Sequence, residues 1–300
     1  MRLIIIFILI VAAVFIFGAL FSLPLYACLT LVSDVSFQQA VHFSILLTAL
    51  LPGVYYLYAS RQLAKLLAWD RGFRAGQKSV LAAFAVGMLI LIIIELCLSL
   101  LGMRQPDPDL GDGWARFLEV AIKAIITGCI VGIMEELLYR GAIFTGLARY
   151  GNYLIALILT SLLYGAVHFI DFPPLPAGSD ITWLSAFTVL AGGFNQFNDP
   201  LILDSLLSLT LLGLLFGLLR WHSGNIISCT CLHAGIVSAN KIFSYATDYR
   251  PGSKYEFLVN SYDHQTGILA SFWLLLACLL YYFLVMKKSY PQISAKQPVD

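Results

Sequence analysis

The sequence predicts an all-α polytopic membrane protein of about eight transmembrane helices, with both termini cytoplasmic. Three observations predict it. Of the 300 residues, 60% are hydrophobic and 12% charged, with a mean hydropathy of +0.85, whereas soluble domains carry about a quarter charged residues. The apolar residues are gathered into runs of about 20 or more, the length that crosses a bilayer. The charges between those runs sort by sign from one connection to the next. A soluble globule and a disordered chain are excluded, and a net charge of +1 leaves no basic surface for nucleic acid.

Eight runs are long enough to span: 3–30, 41–60, 79–102, 117–148, 152–170, 201–219, 223–245 and 266–286. The first follows the single charge of Arg2 and lacks a small-x-small cleavage site, so an uncleaved anchor is expected rather than a signal peptide. The apolar stretch Trp183–Gly193 is too short to cross and suits an interfacial or re-entrant piece. The connection after the second span holds Arg61, Lys65, Arg71, Arg74 and Lys78 against Asp70. Arg140 and Arg149 follow the fourth span, Arg220 the sixth, and Lys287, Lys288 and Lys296 fill the tail. The alternate connections carry Asp34, then Asp107, Asp109 and Asp112, then Asp171, Asp180 and Asp199. The positive-inside rule therefore puts the basic set in the cytoplasm, against the trend of Arg104, Arg116, Arg250 and Lys254. Trp69, Trp114, Trp183 and Trp221 fall near the expected interfaces. No internal repeat and no appended soluble domain is read. All six cysteines lie in apolar runs, so neither a disulfide framework nor a zinc knuckle is implied.

An ionisable side chain inside hydrocarbon costs several kcal/mol and needs a reason. Glu119 and Lys123 are four apart and can pair on one helix face, Asp204 and Lys241 lie near span ends, and Glu95 reads as a buried structural group. The run Met134-Glu135-Glu136-Leu137-Leu138-Tyr139-Arg140 differs. Glu136 and Arg140 share a face at i and i+4, so the arginine can neutralise that acid. Glu135 points about 100° away and has no partner on its own helix, which leaves it for proton chemistry. Spans four and five form an expected antiparallel hairpin about Tyr150-Gly151-Asn152, which brings His168 to the depth of Glu135. His233 is also intramembrane, and Gly128, Gly132 and Gly165 would admit close neighbours. These residues are compatible with water activation for attack on a carbonyl, with a divalent metal held by histidine and carboxylate, with a proton relay, or with a polar cluster that glues helices.

The constellation resembles the CPBP intramembrane proteases, also called the Abi or CAAX-protease family, over roughly Lys123 to Lys241. The family's Glu-Glu-x-x-x-Arg motif is met by Glu135, Glu136 and Arg140, and its Phe-x-x-x-His motif by Tyr164 to His168, with tyrosine for phenylalanine. In the third motif a histidine is followed four residues later by Asn or Asp; here His233 is followed by Val237. The resemblance implies an intramembrane endopeptidase in which Glu135 and His168 deprotonate the attacking water, His233 stabilises the oxyanion, and Glu136 and Arg140 organise the pocket. The missing amide at Val237 leaves Asn240, Ser238 or a backbone amide to substitute as oxyanion support. It also implies a division into helices 1–3 at 1–115, a catalytic core at 116–245, and a last helix with a short tail at 246–300. No cofactor is implied, a divalent metal stays open, and the partners are the bilayer of the cytoplasmic membrane and a membrane-associated protein or peptide substrate. The site is expected in a cavity between spans four, five and seven, opening to the cytoplasm or sideways into lipid. The alternatives are a non-catalytic scaffold or immunity-type protein and a proton-coupled transporter. No His-Glu-x-x-His motif occurs, no Gly-x-Ser-Gly nucleophile lies in a span, and Gly111-Asp112 falls in an outer connection.

Overall fold

A computed structural model describes residues 2–67, 73–107, 113–176, 178–260 and 263–287. Trp69, Asp70, Arg71, Asp109, Asp112, Lys288 and Lys296, used above to orient the chain, lie outside them. The described chain is helical apart from one two-stranded ribbon. Its main helices are α1 (Arg2–Leu29), α2 (Phe37–Ala59), the short α3 (Leu63–Leu66), α4 (Phe73–Leu100) and α5 (Gly113–Glu136). A π-helical turn, Leu137–Ile143, joins α5 to α6 (Phe144–Tyr150) without a break. Then follow α7 (Tyr153–Val167), α8 (Trp183–Gly192), α9 (Leu203–Ser223), α10 (Ile227–Ala246) and α11 (Ile268–Tyr281), the last extended by a second π-turn to Met286. The strands β1 (Arg104–Pro106) and β2 (Thr247–Tyr249) pair antiparallel, with Gln105 opposite Asp248.

This is an all-α polytopic membrane protein. Among the described residues six helical stretches are long and apolar enough to cross, including the continuous 38 residues from Gly113 to Tyr150. Helices also occupy the other two expected spans, but α7 has only 15 residues and α10 is more polar, so the count of eight is not established. The packing is inverted relative to a soluble protein. On α1 only Gly18, Ala19 and Ser22 are buried, while Ile5, Ile8, Leu9 and Phe21 face outward. Large side chains toward lipid and small ones toward neighbouring helices are what packing in hydrocarbon favours, because lipid is as apolar as leucine and only close backbone approach adds attraction.

That rule places α10. A Cβ on Gly235 would lie 2.1 Å from the Phe84 carbonyl oxygen, and one on Gly87 would lie 2.0 Å from that of Leu232, so α4 and α10 touch backbone to backbone. On the other side, Gly128 and Gly132 of α5 face Ala234 and Thr230. The helix carrying His233 is therefore clamped between two others. The hairpin about Gly151 is also present: Asn152 caps α7 by accepting from the Ile155 amide at 2.8 Å, and the rings of Tyr139 and Tyr164 meet edge to face at 5.4 Å. Gly165 packs on Thr210 of α9. At one end of the bundle lie the C-terminal ends of α2, α6 and α9, with Arg61, Arg149 and Arg220. The acidic residues Asp34, Asp171, Asp180 and Asp199 belong to connections at the opposite end.

The clamp predicts a contrast between two glycines. Gly235→Ala should cost about 1–3 kcal/mol through backbone overpacking and lower the melting temperature in detergent. Gly146→Ala, in α6 with nothing within 4 Å of the new methyl, should leave it unchanged or raise it through helix propensity. Equal melting temperatures for the two variants would contradict the clamp.

Candidate active site

The polar residues gather where α5 changes its winding. A π-turn admits an extra residue per turn and turns the following side chains off the preceding α-helical face, and such turns recur at functional sites. Here the turn begins directly after Glu135 and Glu136 and contains Arg140. Glu136 and Arg140 are both fully buried, and Arg140 Nη1 donates to Glu136 Oε1 at 3.0 Å. Arg140 Nη2 donates to the Gly213 carbonyl of α9, also at 3.0 Å. Its guanidinium lies 4.6 Å from the ring centre of Tyr164 and 5.0 Å from that of Phe216, so aromatic faces complete its surroundings.

His233 reaches the same carboxylate oxygen. Its Nδ1 lies 2.9 Å from Glu136 Oε1 and its ring stacks on Phe216 at 4.8 Å. A carboxylate oxygen paired to arginine accepts, so Nδ1 carries the proton and Nε2 is the nitrogen turned toward Glu135. Glu135 Oε2 stands 3.8 Å from that Nε2, too long for a direct hydrogen bond. Glu135 keeps 28% of its side chain exposed, against 3% for His233. The fifth residue, His168, caps the end of α7. Its Nδ1 lies 2.7 Å from the Tyr164 carbonyl, which can only accept, so the Nδ1–H tautomer or the imidazolium is fixed there and Nε2 faces away. The Tyr164 ring lies between the two imidazoles, 4.7 Å from His168 and 6.1 Å from His233.

A cavity of about 870 Å³ opens beside this cluster. Glu135, Tyr139 and His168 lie on its wall; Glu136, Arg140 and His233 do not. Its other walls come from α1 and α2, through Phe7, Val11, Ala49 and Gly53 among others. This corrects the expected position between spans four, five and seven: α10 stands behind Glu135 and contributes no lining, because its two faces are taken by α4 and α5. At one end the cavity meets a second, smaller pocket of about 370 Å³, with Gln38, Gln39 and Asp171 on its walls.

The candidates for the missing amide are placed elsewhere. Ser238 is buried and donates to the Ala234 carbonyl at 2.6 Å against Gly128. Asn240 is seven residues beyond His233, about 10 Å along the helix, and is not among the cavity's lining residues. Sequence reading also missed residues. His42 of α2 lines both cavities, with its ring edge-to-face with Phe172 at 5.9 Å; it sits in an apolar run but near its start, where a polar residue draws no notice. Arg220, read above only as a cytoplasmic charge, is buried, and its Nε donates to the Arg140 carbonyl at 3.0 Å. It thereby satisfies a backbone oxygen within the π-turn. Tyr56 has a buried hydroxyl without a partner among the described residues, in a side chain that lines the cavity.

Three of the remaining intramembrane charges, Glu95, Glu119 and Lys123, are paired elsewhere. Glu95 accepts from Gln265 and lies 3.6 Å from Arg104, and Glu119 bonds Lys123 and Arg116 at 2.5 and 2.8 Å. Among the described residues no group of three His, Cys, Asp or Glu is arranged to hold a metal ion.

Residues 117–239 match the family model described as Type II CAAX prenyl endopeptidase Rce1-like. No curated protein and no solved structure matches the chain. The matched segment contains all six of Glu135, Glu136, Arg140, Tyr164, His168 and His233.

The burial of the Glu136–Arg140 pair makes a prediction about stability. Arg140→Met leaves a carboxylate buried without its counter-charge and should cost about 3–5 kcal/mol. Adding Glu136→Gln removes that charge and should recover much of the loss, measured by denaturant titration in detergent. A double variant no more stable than Arg140→Met would show that the arginine acts through packing alone.

Proposed function

Because residues 117–239 form a domain of the CPBP family, we propose that the chain is an intramembrane endopeptidase that hydrolyses a peptide bond near the membrane with water activated by Glu135 and His168. The observation that carries the proposal is the division of the two carboxylates. Glu136 is fully buried in a bond to arginine, while Glu135 sits on the cavity wall with one oxygen turned to an imidazole.

In this reading the attacking water sits on the cavity side of Glu135, donating its second hydrogen in a hydrogen bond to Nε2 of a neutral, Nδ1-protonated His168. Glu135 takes a proton as the water oxygen adds to the scissile carbonyl carbon. The negative charge that develops on the carbonyl oxygen faces Tyr139, whose ring follows Glu135 by one helical turn on the same wall. The carbon–nitrogen bond then breaks and Glu135 returns the proton to the departing amine. His233, Glu136 and Arg140 position Glu135 from behind, so the resemblance's assignment of His233 to the oxyanion gives way to a positioning role. A histidine 3% exposed behind the wall has no approach to the substrate oxygen. Asn240 is likewise given no part, given its distance along α10.

The substrate class is a membrane-anchored protein end or leader with an apolar portion. A prenylated end, as the family description suggests, would place its isoprenoid chain against the leucines, isoleucines and phenylalanines of α1 and α2. The cytoplasmic membrane is the proposed host, with both termini inside.

The test uses the full chain in liposomes with a prenylated fluorogenic peptide. Glu135→Gln should lower kcat by about 10³-fold or more, and His168→Ala by about 10²-fold, both with an unchanged melting temperature. Tyr139→Phe should lower kcat by about 10²-fold with little change in KM. A chelator should leave the rate unaltered. Loss of activity on chelation and recovery with zinc would overturn the glutamate mechanism, and full activity in Glu135→Gln would overturn the proposal as a whole.

A further inference from the structure

The large cavity and the small pocket share four residues, His42, His168, Ile170 and Phe172. They differ in chemistry. The large one is walled almost throughout by aliphatic and aromatic side chains of α1, α2, the end of α5 with its π-turn, α6 and α7. The small one is framed by the amides of Gln38 and Gln39 and the carboxylate of Asp171. One of the residues at the junction is His168, which the proposed reaction uses. A ligand reaching that histidine from both sides would be apolar on one side and polar on the other.

The polar side has a definite sign. Asp171 is exposed, and among the described residues no basic group stands within ion-pair distance of it. The two connections at this end of α1, α2 and α7, residues 30–36 and 168–202, contain Asp34, Asp171, Asp180 and Asp199 and neither lysine nor arginine. The basic residues at the same end are engaged elsewhere where partners are seen: Arg104 faces Glu95, and Arg116 and Lys123 face Glu119. A free α-carboxylate or an acidic side chain entering here meets Asp171 as a like charge, whereas an ammonium or guanidinium meets it as an unpaired counter-charge.

We infer that the pocket bounded by Gln38, Gln39 and Asp171 is a substrate subsite for a basic peptide flank adjoining an apolar segment, with Asp171 reading the charge. The basic flank enters at the bundle end opposite Arg61, Arg149 and Arg220, and the apolar part extends along α1 toward Leu3. This deepens the endopeptidase reading, on which it rests only for calling the occupant a substrate.

Two labelled peptides test it, each with ten alternating leucines and alanines, one ending in Lys-Lys and the other in Glu-Glu. Binding to the full-length Glu135→Gln protein is measured by fluorescence anisotropy in zwitterionic nanodiscs, with protein-free nanodiscs as baseline. At pH 8, above the ordinary imidazole range, the Lys-Lys peptide should bind about tenfold more tightly than the Glu-Glu peptide. Adding Asp171→Asn should reduce that preference to about threefold or less, with the affinity of the Glu-Glu peptide rising. Equal binding of the two peptides, or a preference undiminished by Asp171→Asn, overturns the inference. Cleavage of the peptides by the wild-type chain bears only on the endopeptidase reading, so the two can fail separately.

Discussion

One carboxylate oxygen ties the site together. Glu136 Oε1 accepts from Arg140 Nη1 at 3.0 Å and lies 2.9 Å from His233 Nδ1, and Arg140 also bonds the backbone of α9 at Gly213. The α5–π-turn, α9 and α10 therefore meet through a single anion with no exposure to solvent. An uncompensated charge at that depth costs several kcal/mol, so the arginine is needed for as long as Glu136 is ionised. The orientation of His233 follows from the same bond, because the proton on Nδ1 leaves Nε2 to face Glu135. Glu135 is thus faced from behind, at 3.8 Å, by a histidine that does not line the cavity.

Much of this was legible in the sequence, for a physical reason: hydrocarbon makes each ionisable residue conspicuous. The pairing of Glu136 with Arg140, the freedom of Glu135, the hairpin at Gly151, and the close approaches at Gly128, Gly132 and Gly165 follow from helical spacing and small-residue packing alone. The pairing of Glu119 with Lys123 follows in the same way.

What stayed hidden has equally physical causes. The π-turn leaves no mark in composition, since Leu137 to Ile143 reads as ordinary helix. The cavity walls on α1 and α2 are built from the same leucines, isoleucines and phenylalanines that face lipid elsewhere, and hydropathy does not separate the two surroundings. Arg220 was read by its charge alone, although it is buried and holds the Arg140 carbonyl. Asn240 satisfies helical spacing from Val237, but its seven-residue separation from His233 puts it about 10 Å along the helix. A histidine near a span end, such as His42, becomes informative only when α2 is seen to pack across from α7.

The central claim is that Glu135 acts on water and not directly on the substrate carbon. Single-turnover cleavage in H₂¹⁸O with enzyme in excess tests this by mass spectrometry of the newly formed carboxyl group and of Glu135. The account predicts one ¹⁸O in that group on the first turnover. Unlabelled product on the first turnover, with ¹⁸O found instead in the side chain of Glu135, would mean a covalent acyl-enzyme and would contradict it.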